Sequence, residues 1–439
     1  MRDYWIETWG CQMNVHDSEK ISGTLEADGW NRAVSPEKAD LILLNTCAIR
    51  EKAAEKVFHA LGRLRSLKAG RPSLLLGVAG CVGSMEGEEI FRRAPHVDLV
   101  VGPRGIANLP SLIEAARARR RAIDVAHHPG SVLFPWQSIS RQKGAARAYV
   151  TVMEGCNKGC TFCVVPSTRG PEASRPIGDV VLEVRALAEQ GVREVDFLGQ
   201  TVNAYKDPAG RRLSDLLRAA HAVDGMARLR FTTSHPVHMT GDLMRAMAEL
   251  PRVIRHLHLP VQSGSDAVLS RMKRGYSHAG YIEKIVGLRR LMPDLTFSTD
   301  FIVGFPGETE EDFQASLTLL EEVGFDTVYS FVYSSRAGTP AAEWEDTVGF
   351  DVAAERLARL QQRQNAIQTA RLAALVGREV EVLVEGPAKF GQGLMTGRTH
   401  HGQIVNFLGN GVVTGDLVRA VVYAAGAHSL KGSRRESVS

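Results

Sequence analysis

Three closely spaced cysteines after a strand pattern constrain this chain more than any other feature. Cys156, Cys160 and Cys163 stand in a Cys-x-x-x-Cys-x-x-Cys spacing that follows the apolar segment 148–153. Six cysteines placed at random would give this spacing in roughly one chain in a thousand. The sequence therefore predicts that the three thiols act on one ligand. Gly155 and Gly159 permit the tight backbone path of a loop that wraps it.

The pattern of the central segment, 147–372, predicts where that loop lies. Strand patterns at 148–153, 194–198, 229–233, 256–261, 296–303 and 327–332 alternate with helical stretches such as 177–190 and 310–323. Repeated βα units of this kind indicate a barrel of parallel strands, complete or partial. Barrel enzymes keep their chemistry at the carboxyl ends of the strands, where the cysteine loop begins.

The flanking segments predict two further domains. Residues 1–125 carry a strand pattern at 4–8, apolar runs at 40–45 and 73–79, and helical patterns opening at 17–19 and spanning 50–68 and 104–119. This is typical of a doubly wound α/β domain. Residues 126–146 read as a linker. After a helical pattern at 351–375, residues 373–439 alternate as a small all-β barrel, with a flexible tail from about Lys431.

The chemistry of three thiolates leaves two kinds of metal site open. Zinc and an iron–sulfur cluster are both held by cysteines. A structural zinc site usually takes a fourth ligand, and no other Cys or His lies close in sequence. A cluster held by three cysteines leaves one iron open for a substrate or cofactor. We favour the iron–sulfur cluster; structural zinc and spectator thiols are the alternatives.

The other three cysteines form a second, dispersed set. Cys11, Cys47 and Cys81 each directly follow a predicted strand of the N-terminal domain. Because the carboxyl ends of parallel strands share one edge, we expect the three thiols to converge there. Three buried apolar thiols are the alternative, since free cysteine packs like a small hydrophobe. We interpret the set as the ligands of a second cluster, again with one open iron.

Polar residues that follow barrel strands are candidates for cofactor contact. They are suited to hydrogen bonds with small polar groups at the rim: Gln200, Asn203, Ser234, Gln262 and Ser263. Histidines 235, 256 and 258 are expected to be structural. In the β module, cations and an aromatic ring could hold RNA: Lys389, Arg398 and Phe407, with His400 and His401 beside them.

Composition adds limits on location and partners. The net charge of +4 neither requires nor excludes a nucleic-acid partner. The first residues lack the apolar core of a signal peptide, and no apolar run reaches the roughly 18 residues of a membrane helix. We therefore expect a cytoplasmic protein without a membrane partner.

The cysteine spacing resembles that of the radical S-adenosylmethionine (SAM) enzymes, and the whole chain resembles their methylthiotransferases. Within these it is similar to the branch that modifies tRNA adenosine, the MiaB type. The resemblance rests on the motifs at 10–14 (Gly-Cys-Gln-Met-Asn), 17–19, 45–53, 155–166 and 168–170. Val82-Gly83-Ser84, Thr201 and Ala204 depart from the family pattern.

This resemblance implies a fold and an activity. The central domain would be a partial (β/α)6 barrel of radical SAM type, preceded by an auxiliary-cluster domain and followed by a TRAM RNA-binding barrel. The reaction would insert a methylthio group at carbon 2 of N(6)-dimethylallyladenosine 37 in tRNA and consume two SAM molecules. Methylthiolation of threonylcarbamoyl adenosine or of a ribosomal protein is the alternative. A non-catalytic zinc-containing RNA-binding protein is a more remote one.

The resemblance also implies cofactors, contacts and partners. Two 4Fe-4S clusters would be held by the six cysteines, one of them binding SAM, with no catalytic residue beyond the clusters. The motif at 298–309 would contact SAM through Asp300, Gly304 and Gly307; a Gly-Pro turn before a helix capped by Thr309 explains the same residues. The partners would be the tRNA anticodon stem-loop, an electron donor such as flavodoxin or ferredoxin, and a sulfur donor or cluster carrier.

Overall fold

The computed structural model describes residues 2–48, 51–118, 120–126, 136–141, 143–345 and 348–435, without the side chains of 51–54. The chain divides into two compact units. Unit 1 comprises Met1–Arg141, Met153–Ser174 and Arg336–Thr339, and unit 2 comprises Gln142–Val152, Arg175–Ser335 and Pro340–Ser439. The predicted boundaries placed the Cys156–Cys163 loop with the barrel, whereas it groups with the N-terminal domain in unit 1.

Unit 1 is built on a six-stranded parallel sheet. Its strands are β1 (Arg2–Trp9), β2 (Trp30–Arg32), β3 (Leu41–Thr46), β4 (Leu75–Gly80), β5 (Leu99–Val101) and β6 (Ala122–Asp124). They lie in the order β2-β1-β3-β4-β5-β6. The apolar runs predicted as strands are β3 and β4, which are buried at every residue. The short strands β2, β5 and β6 were not predicted.

Helices cover both faces of this sheet. They are α1 (Gln12–Ala27), α2 (Glu51–Gly70), α3 (Cys81–Glu86), α4 (Glu89–Arg93) and α5 (Leu109–Arg117). Successive residues of β3 and β4 enter two separate cores, one with α2, α3 and α4 and the other with α1 and α5. The doubly wound prediction is confirmed. The first helix begins at Gln12, however, and the prediction that it opens at 17–19 is wrong.

The cysteine loop begins just after the first barrel strand, β7 (Arg147–Thr151). Its base is a two-residue antiparallel pairing of β8 (Met153–Glu154) with β9 (Ala173–Ser174). Between them lies helix α6 (Val165–Arg169), which packs against α3 within unit 1. Of the predicted linker, residues 127–135 and 142 fall outside the described ranges, and Trp136–Ser138 form a turn of 3-10 helix.

Unit 2 contains the predicted partial barrel. Its further strands are β10 (Glu194–Leu198), β11 (Arg228–Phe231), β12 (His256–His258), β13 (Thr296–Val303) and β14 (Thr327–Val332). The strands form two parallel sheets, β7-β10-β11 and β12-β13-β14, and an isolated bridge pairs Leu229 of β11 with Val253, three residues before β12. The helices are α7 (Ile177–Glu189), α8 (Leu213–His221), α9 (Gly241–Glu249), α10 (Asp266–Arg271), α11 (His278–Leu291), α12 (Glu310–Val323) and α13 (Phe350–Ala373). All six predicted strands are present.

The C-terminal module is a closed five-stranded barrel. Its strands are β15 (Glu379–Pro387), β16 (Leu394–Thr399), β17 (Ile404–Leu408), β18 (Leu417–Ala425) and β19 (Leu430–Arg434), in the order β15-β16-β17-β19-β18. The predicted flexible tail from Lys431 is corrected here, because Leu430–Arg434 pairs with both β17 and β18. Residues 436–439 lie outside the described ranges. None of the described helices has the length and apolar character that a membrane span requires.

We expect Phe407→Ala to open this barrel. Phe407 is 1% exposed in the core of the module, and truncating a buried phenylalanine costs about 3–5 kcal/mol. Hydrogen–deuterium exchange across β17 should therefore accelerate. Phe390, which is 89% exposed, provides the control, because Phe390→Ala should change stability by no more than about 0.5 kcal/mol. Equal protection of β17 in the two variants would contradict this account of the core.

Candidate functional site

The first candidate site lies at the carboxyl-end edge of the N-terminal sheet. Cys11, Cys47 and Cys81 follow β1, β3 and β4, which are neighbours in the sheet. The strand order reverses between β1 and β3, and open α/β sheets bind their ligands at such a switch point. The Cys47 side chain hydrogen-bonds Cys11, and the charge of Cys11 acts on Cys81. The structure thus brings the predicted second set together.

Two glycines let the chain reach this edge. Gly10 and Gly80 directly precede Cys11 and Cys81 and have φ of 126° and 85°, where L side chains are strained. A Cβ on Gly80 would lie 2.3 Å from Asn45 Oδ1. A Cβ on Gly10 would lie 2.5 Å from the Cβ of Cys47. The close approach of the three loops therefore requires glycine at both positions.

Two buried asparagines join the first two loops. Asn14 Oδ1 accepts a hydrogen bond from Cys11 Sγ at 3.3 Å. Asn45 Nδ2 donates to the carbonyl of Asn14 at 2.8 Å and lies 2.8 Å from Ser18 Oγ. Both asparagines are 0% exposed. Their amides hold the start of α1 against the end of β3, and so hold Cys11 beside Cys47.

The three thiols differ in their electrostatics. The hydrogen bond from Cys47, assisted by the charge of Arg169, lowers the pKa of Cys11 to about 6. Burial raises the pKa of Cys81, and Arg169 opposes that rise. A cation beside two of the three thiols favours the thiolate form that a metal cluster requires.

The second candidate site is the Cys156–Cys163 loop, which hydrogen bonds hold at both arms. Gly155 has φ of 81°, and a Cβ there would lie 2.0 Å from the carbonyl oxygen of Pro171. Asn157 and Glu172 exchange two hydrogen bonds between backbone N–H and side-chain oxygen, of 3.1 and 3.0 Å. Lys158 N donates to Cys156 Sγ at 3.4 Å. These contacts fix the path of the loop within the protein.

A buried network of charges connects this loop to the N-terminal domain. Arg169 Nε donates to Cys81 Sγ at 3.3 Å, and its Nη2 donates to Asp17 Oδ2 at 2.6 Å. Lys20 Nζ lies 3.6 Å from Asp17 Oδ1 and donates to Glu154 Oε1 at 2.5 Å. All four charged residues are at most 6% exposed.

Sequence reasoning found this network only in part. It used Arg169 as a motif position, and Asp17 as a motif position and a helix start. It did not single out Lys20 or Glu154. Burial lowers the pKa of Arg169, but Asp17, Cys81 and Glu154 raise it well above the usual value. Arg169 is therefore a permanent buried cation beside a cysteine.

The donor set fits an iron–sulfur ligand at both sites. Each site offers three thiols, and each has an N–H group on a cysteine sulfur, from Lys158 in one and Arg169 in the other. Such N–H···S contacts are a usual second layer around iron–sulfur clusters. Within the described residues, no three His, Cys, Asp or Glu side chains converge tightly enough to hold a single metal ion.

The predicted cofactor residues at the barrel rim in unit 2 differ in how far hydrogen bonds within the protein engage their side chains. Asn203 and Ser263 make hydrogen bonds within the protein. The Asn203 amide makes two hydrogen bonds with the backbone of His235, of 2.9 and 2.8 Å. Ser263 Oγ lies 3.3 Å from Ser316 Oγ and accepts from the backbone N–H of Ser265 at 3.2 Å. These hydrogen bonds already engage both side chains.

Ser234 and Gln262 have features of a ligand site. Ser234 is 4% exposed, and its Oγ has no hydrogen-bond partner among the described residues. Gln262 and Thr233 have φ of 75° and 73°. Strained backbone of this kind concentrates at binding sites. Thr233 was missed, because a threonine gives no sequence signal for a positive φ. Gln200 lies two residues after β10 and is half-buried.

The motif after β13 is organised mainly by its own turn. Gly304 has φ of 68°, and its N–H donates to Glu308 Oε2 at 2.7 Å. Gly307 has φ of 77°, and its carbonyl accepts from Arg271 Nη2 at 2.7 Å. Thr309 caps α12 as the turn interpretation predicted.

Asp300 ends a chain of polar side chains on the same sheet. Its Oδ2 lies 3.6 Å from His258 Nε2. Ser298 Oγ lies 3.0 Å from both His258 Nδ1 and His256 Nε2. Both histidines thus have partners within the protein, in accord with their expected structural role.

The predicted RNA-binding residues of the β module differ in exposure and in their contacts. Lys389 is exposed. Phe407 lies in the barrel core and cannot stack on a base, so that prediction is wrong. Arg398 Nη1 pairs with Glu385 Oε1 at 3.0 Å, which engages it within unit 2. Sequence reasoning missed the exposed rings of Phe390 and Tyr423, which are 89% and 60% exposed.

Three family models match the chain in succession. They are Uncharacterized protein family UPF0004 at residues 3–102, the Radical SAM superfamily at 150–320 and the TRAM domain at 373–433. Among solved structures, a radical S-adenosylmethionine methyltransferase, TsrM, from Kitasatospora setae has a similar fold. Its TM-score is 0.57 at 15% identity, over 78% of this chain and 74% of that one. Fold and site together define a radical SAM enzyme.

Curated relatives specify the family. The tRNA-2-methylthio-N(6)-dimethylallyladenosine synthase of Methylococcus capsulatus is 49% identical over 98% of this chain and 94% of its own length. That of Alteromonas mediterranea is 48% identical over 99% and 92%. The chain belongs to the family of tRNA-2-methylthio-N(6)-dimethylallyladenosine synthases.

Gly80→Ala should disturb the Cys81 site far more than its backbone strain alone would. The added Cβ would collide with Asn45 Oδ1 and with the carbonyl oxygen of Thr46 at 2.8 Å. We expect less bound iron after anaerobic reconstitution and a lower melting temperature. Gly29→Ala is the matched control, because Gly29 has φ of 81° and nothing within 4 Å of its Cβ position. Equal iron content in the two variants would contradict the close-packing argument.

Proposed function

We propose that this chain inserts a methylthio group at carbon 2 of N(6)-dimethylallyladenosine at position 37 of tRNA. The observation that carries this proposal is the presence of two three-cysteine sets within one compact unit. One set supplies radical chemistry and the other a place for sulfur. The relatives named tRNA-2-methylthio-N(6)-dimethylallyladenosine synthase support the choice of nucleoside.

The six cysteines would hold two 4Fe-4S clusters. Cys156, Cys160 and Cys163 would hold the SAM-binding cluster, and Cys11, Cys47 and Cys81 the auxiliary cluster. When bound, the first group supplies the electron that cleaves SAM to a 5′-deoxyadenosyl radical, and the second supplies an open iron as a seat for sulfur. The protein's own contribution is to fix the ligand sulfurs through close loop packing that only Gly10, Gly80 and Gly155 allow.

The rim of the barrel would hold SAM. Ser234 Oγ, buried and without a described partner, can donate to an oxygen of the cofactor. Gln200 follows β10, Gln262 follows β12 and Asp300 lies within β13, and all three would offer further polar contacts. The positive φ of Gly304 and Gly307 lets the backbone turn close to an adenine ring.

The β module would meet tRNA through its exposed residues. Lys389, beside the exposed ring of Phe390, combines a cation with a stacking surface. The target adenosine must leave its stack to reach a buried site, and an anticodon loop makes that step easier. A flavodoxin or ferredoxin would supply electrons, and a sulfur donor or cluster carrier would supply sulfur. The enzyme would act in the cytoplasm, with its tRNA.

Nucleoside mass spectrometry would test the substrate. The reconstituted enzyme would receive SAM, reductant and sulfide with isopentenylated tRNA in one tube and threonylcarbamoylated tRNA in another. We expect a methylthio mass gain only in the first tube. Gain only in the second would move the substrate to threonylcarbamoyl adenosine. No gain in either, with 5′-deoxyadenosine formed normally, would point to a protein substrate or a missing sulfur carrier.

Two cysteine variants should separate the two sites. Cys160→Ala removes a ligand of the SAM-binding cluster and should abolish 5′-deoxyadenosine formation. Cys81→Ala removes a ligand of the other set and should abolish the methylthio product while SAM cleavage continues. Both are measured by chromatography of the same reaction. Retained SAM cleavage in Cys160→Ala would overturn the assignment of that loop.

Ser234→Ala should affect SAM binding, whereas Asn203→Ala should affect stability. Loss of the free Ser234 hydroxyl should raise the KM for SAM about tenfold, since one hydrogen bond contributes about 0.5–1.5 kcal/mol. Its melting temperature should not change. Asn203→Ala breaks two buried hydrogen bonds to the backbone and should lower the melting temperature. A lowered melting temperature in Ser234→Ala with unchanged KM would show that Ser234 serves the fold.

A further inference from the structure

Arg169 joins the two cysteine sets within unit 1. It ends helix α6, six residues after Cys163, and reaches Cys81 Sγ at 3.3 Å. It is 3% exposed, and its Nη2 is fixed by Asp17 Oδ2 at 2.6 Å. No other described side chain is recorded as donating a hydrogen bond to Cys81.

The guanidinium group is only partly engaged. Nε and Nη2 have their partners, whereas Nη1 has no hydrogen-bond partner among the described residues. Leaving a buried donor of a charged group unpaired is costly. The charge of Arg169 also acts on Cys11, so two of the three dispersed cysteines lie within its electrostatic reach.

The network that holds Arg169 is buried and its formal charges balance. Arg169 and Lys20 face Asp17 and Glu154, two cations against two carboxylates, all buried. Glu154 lies on strand β8 at the base of the Cys156–Cys163 loop, and Arg169 lies after that loop. Asp17 and Lys20 both lie on α1, which begins next to Cys11. Both arms of one cysteine loop are therefore tied to the helix that starts at the other set.

We propose that Arg169 is a positioning residue that tunes the auxiliary cluster and couples the two cysteine sites. Resting on the proposed function, the inference assigns Arg169 two effects. Its N–H group on Cys81 Sγ and its positive charge stabilise the reduced, more negative state of that cluster. Its Nη1 is the donor available to an anionic ligand at the same site.

The first test measures a reduction potential without tRNA or SAM. In a background with Cys156→Ala, Cys160→Ala and Cys163→Ala, only the auxiliary cluster should remain. Arg169→Gln in that background should move its midpoint potential, followed by EPR, to a more negative value. Arg169→Lys, which keeps the charge but loses the fork of N–H groups, should shift it less. An unchanged potential and EPR spectrum in both variants would overturn the proposal.

Arg104 provides the matched control. It donates to the carbonyl oxygen of Pro171 at 2.6 Å, on the same loop arm, and no contact of it with a cysteine is recorded. Arg104→Gln should leave the potential where it is. If Arg169→Gln yields no folded protein, Arg169→Lys carries the comparison. A potential shifted equally by Arg104→Gln would show a nonspecific effect of charge and overturn the assignment.

The second test measures coupling in the enzyme with all six cysteines. Arg169→Lys should lower the ratio of methylthiolated nucleoside to 5′-deoxyadenosine about 10- to 100-fold, as loss of an outer contact to a metal ligand typically does. The initial rate of SAM cleavage should stay near the wild-type value. An unchanged ratio would overturn the coupling role. A wild-type enzyme that gives no product would overturn the proposed function, while the potential shift would still test Arg169.

Discussion

The parallel pairing of β1, β3 and β4 is the constraint on which the N-terminal site depends. Parallel strands must all end at the same edge, so the pairing of β1, β3 and β4 brings together cysteines that lie 34 to 36 residues apart in sequence. The edge alone is not sufficient. Gly10 and Gly80 remove the side chains that would keep the loops apart.

The buried charged residues around the N-terminal site come at a cost in folding stability. Removing one partner of a buried ion pair costs about 3–5 kcal/mol, because it leaves an unpaired charge away from water. A network of Arg169, Asp17, Lys20 and Glu154 is therefore a poor choice for stability alone, since apolar residues could fill the same space. Its value lies in holding a cation against Cys81 in one defined geometry. The same interaction explains why the Cys156–Cys163 loop belongs to unit 1.

Sequence patterns predicted the parts of the fold in which many residues carry the signal. All six barrel strands were predicted because each alternates with a helical segment. Strands β2, β5 and β6 have three residues each, too few for a period to be recognised. Phe407 was wrongly predicted to bind RNA. The alternation of the strand places Phe407 on the same face as Val405, and both side chains are buried.

The cysteines were predictable and most of their surroundings were not. Thiols after strands have few uses, so residue type and position were enough to propose all six as ligands. Asn203 and Ser263 are the same kinds of polar residue as the candidate contacts Ser234 and Gln262, and only their hydrogen bonds within the protein set them apart. Arg169 contacts Cys81 across 88 residues of sequence. A local sequence pattern cannot predict a contact between residues so far apart in the chain.

The β module is held to the barrel by the same physics of buried charge. Glu194 and Asp196 share one face of β10, where Arg147 Nε lies 2.8 Å from Glu194 Oε1. Glu385 of the β module lies 3.0 Å from Arg147 Nη1 and 3.0 Å from Arg398 Nη1. Barrel interiors are usually filled by branched apolar side chains; a charged face instead needs a partner. Arg147 and Arg230 of the barrel pair with these carboxylates, and Glu385 of the β module pairs in turn with Arg147, which helps to hold the β module on the barrel within unit 2.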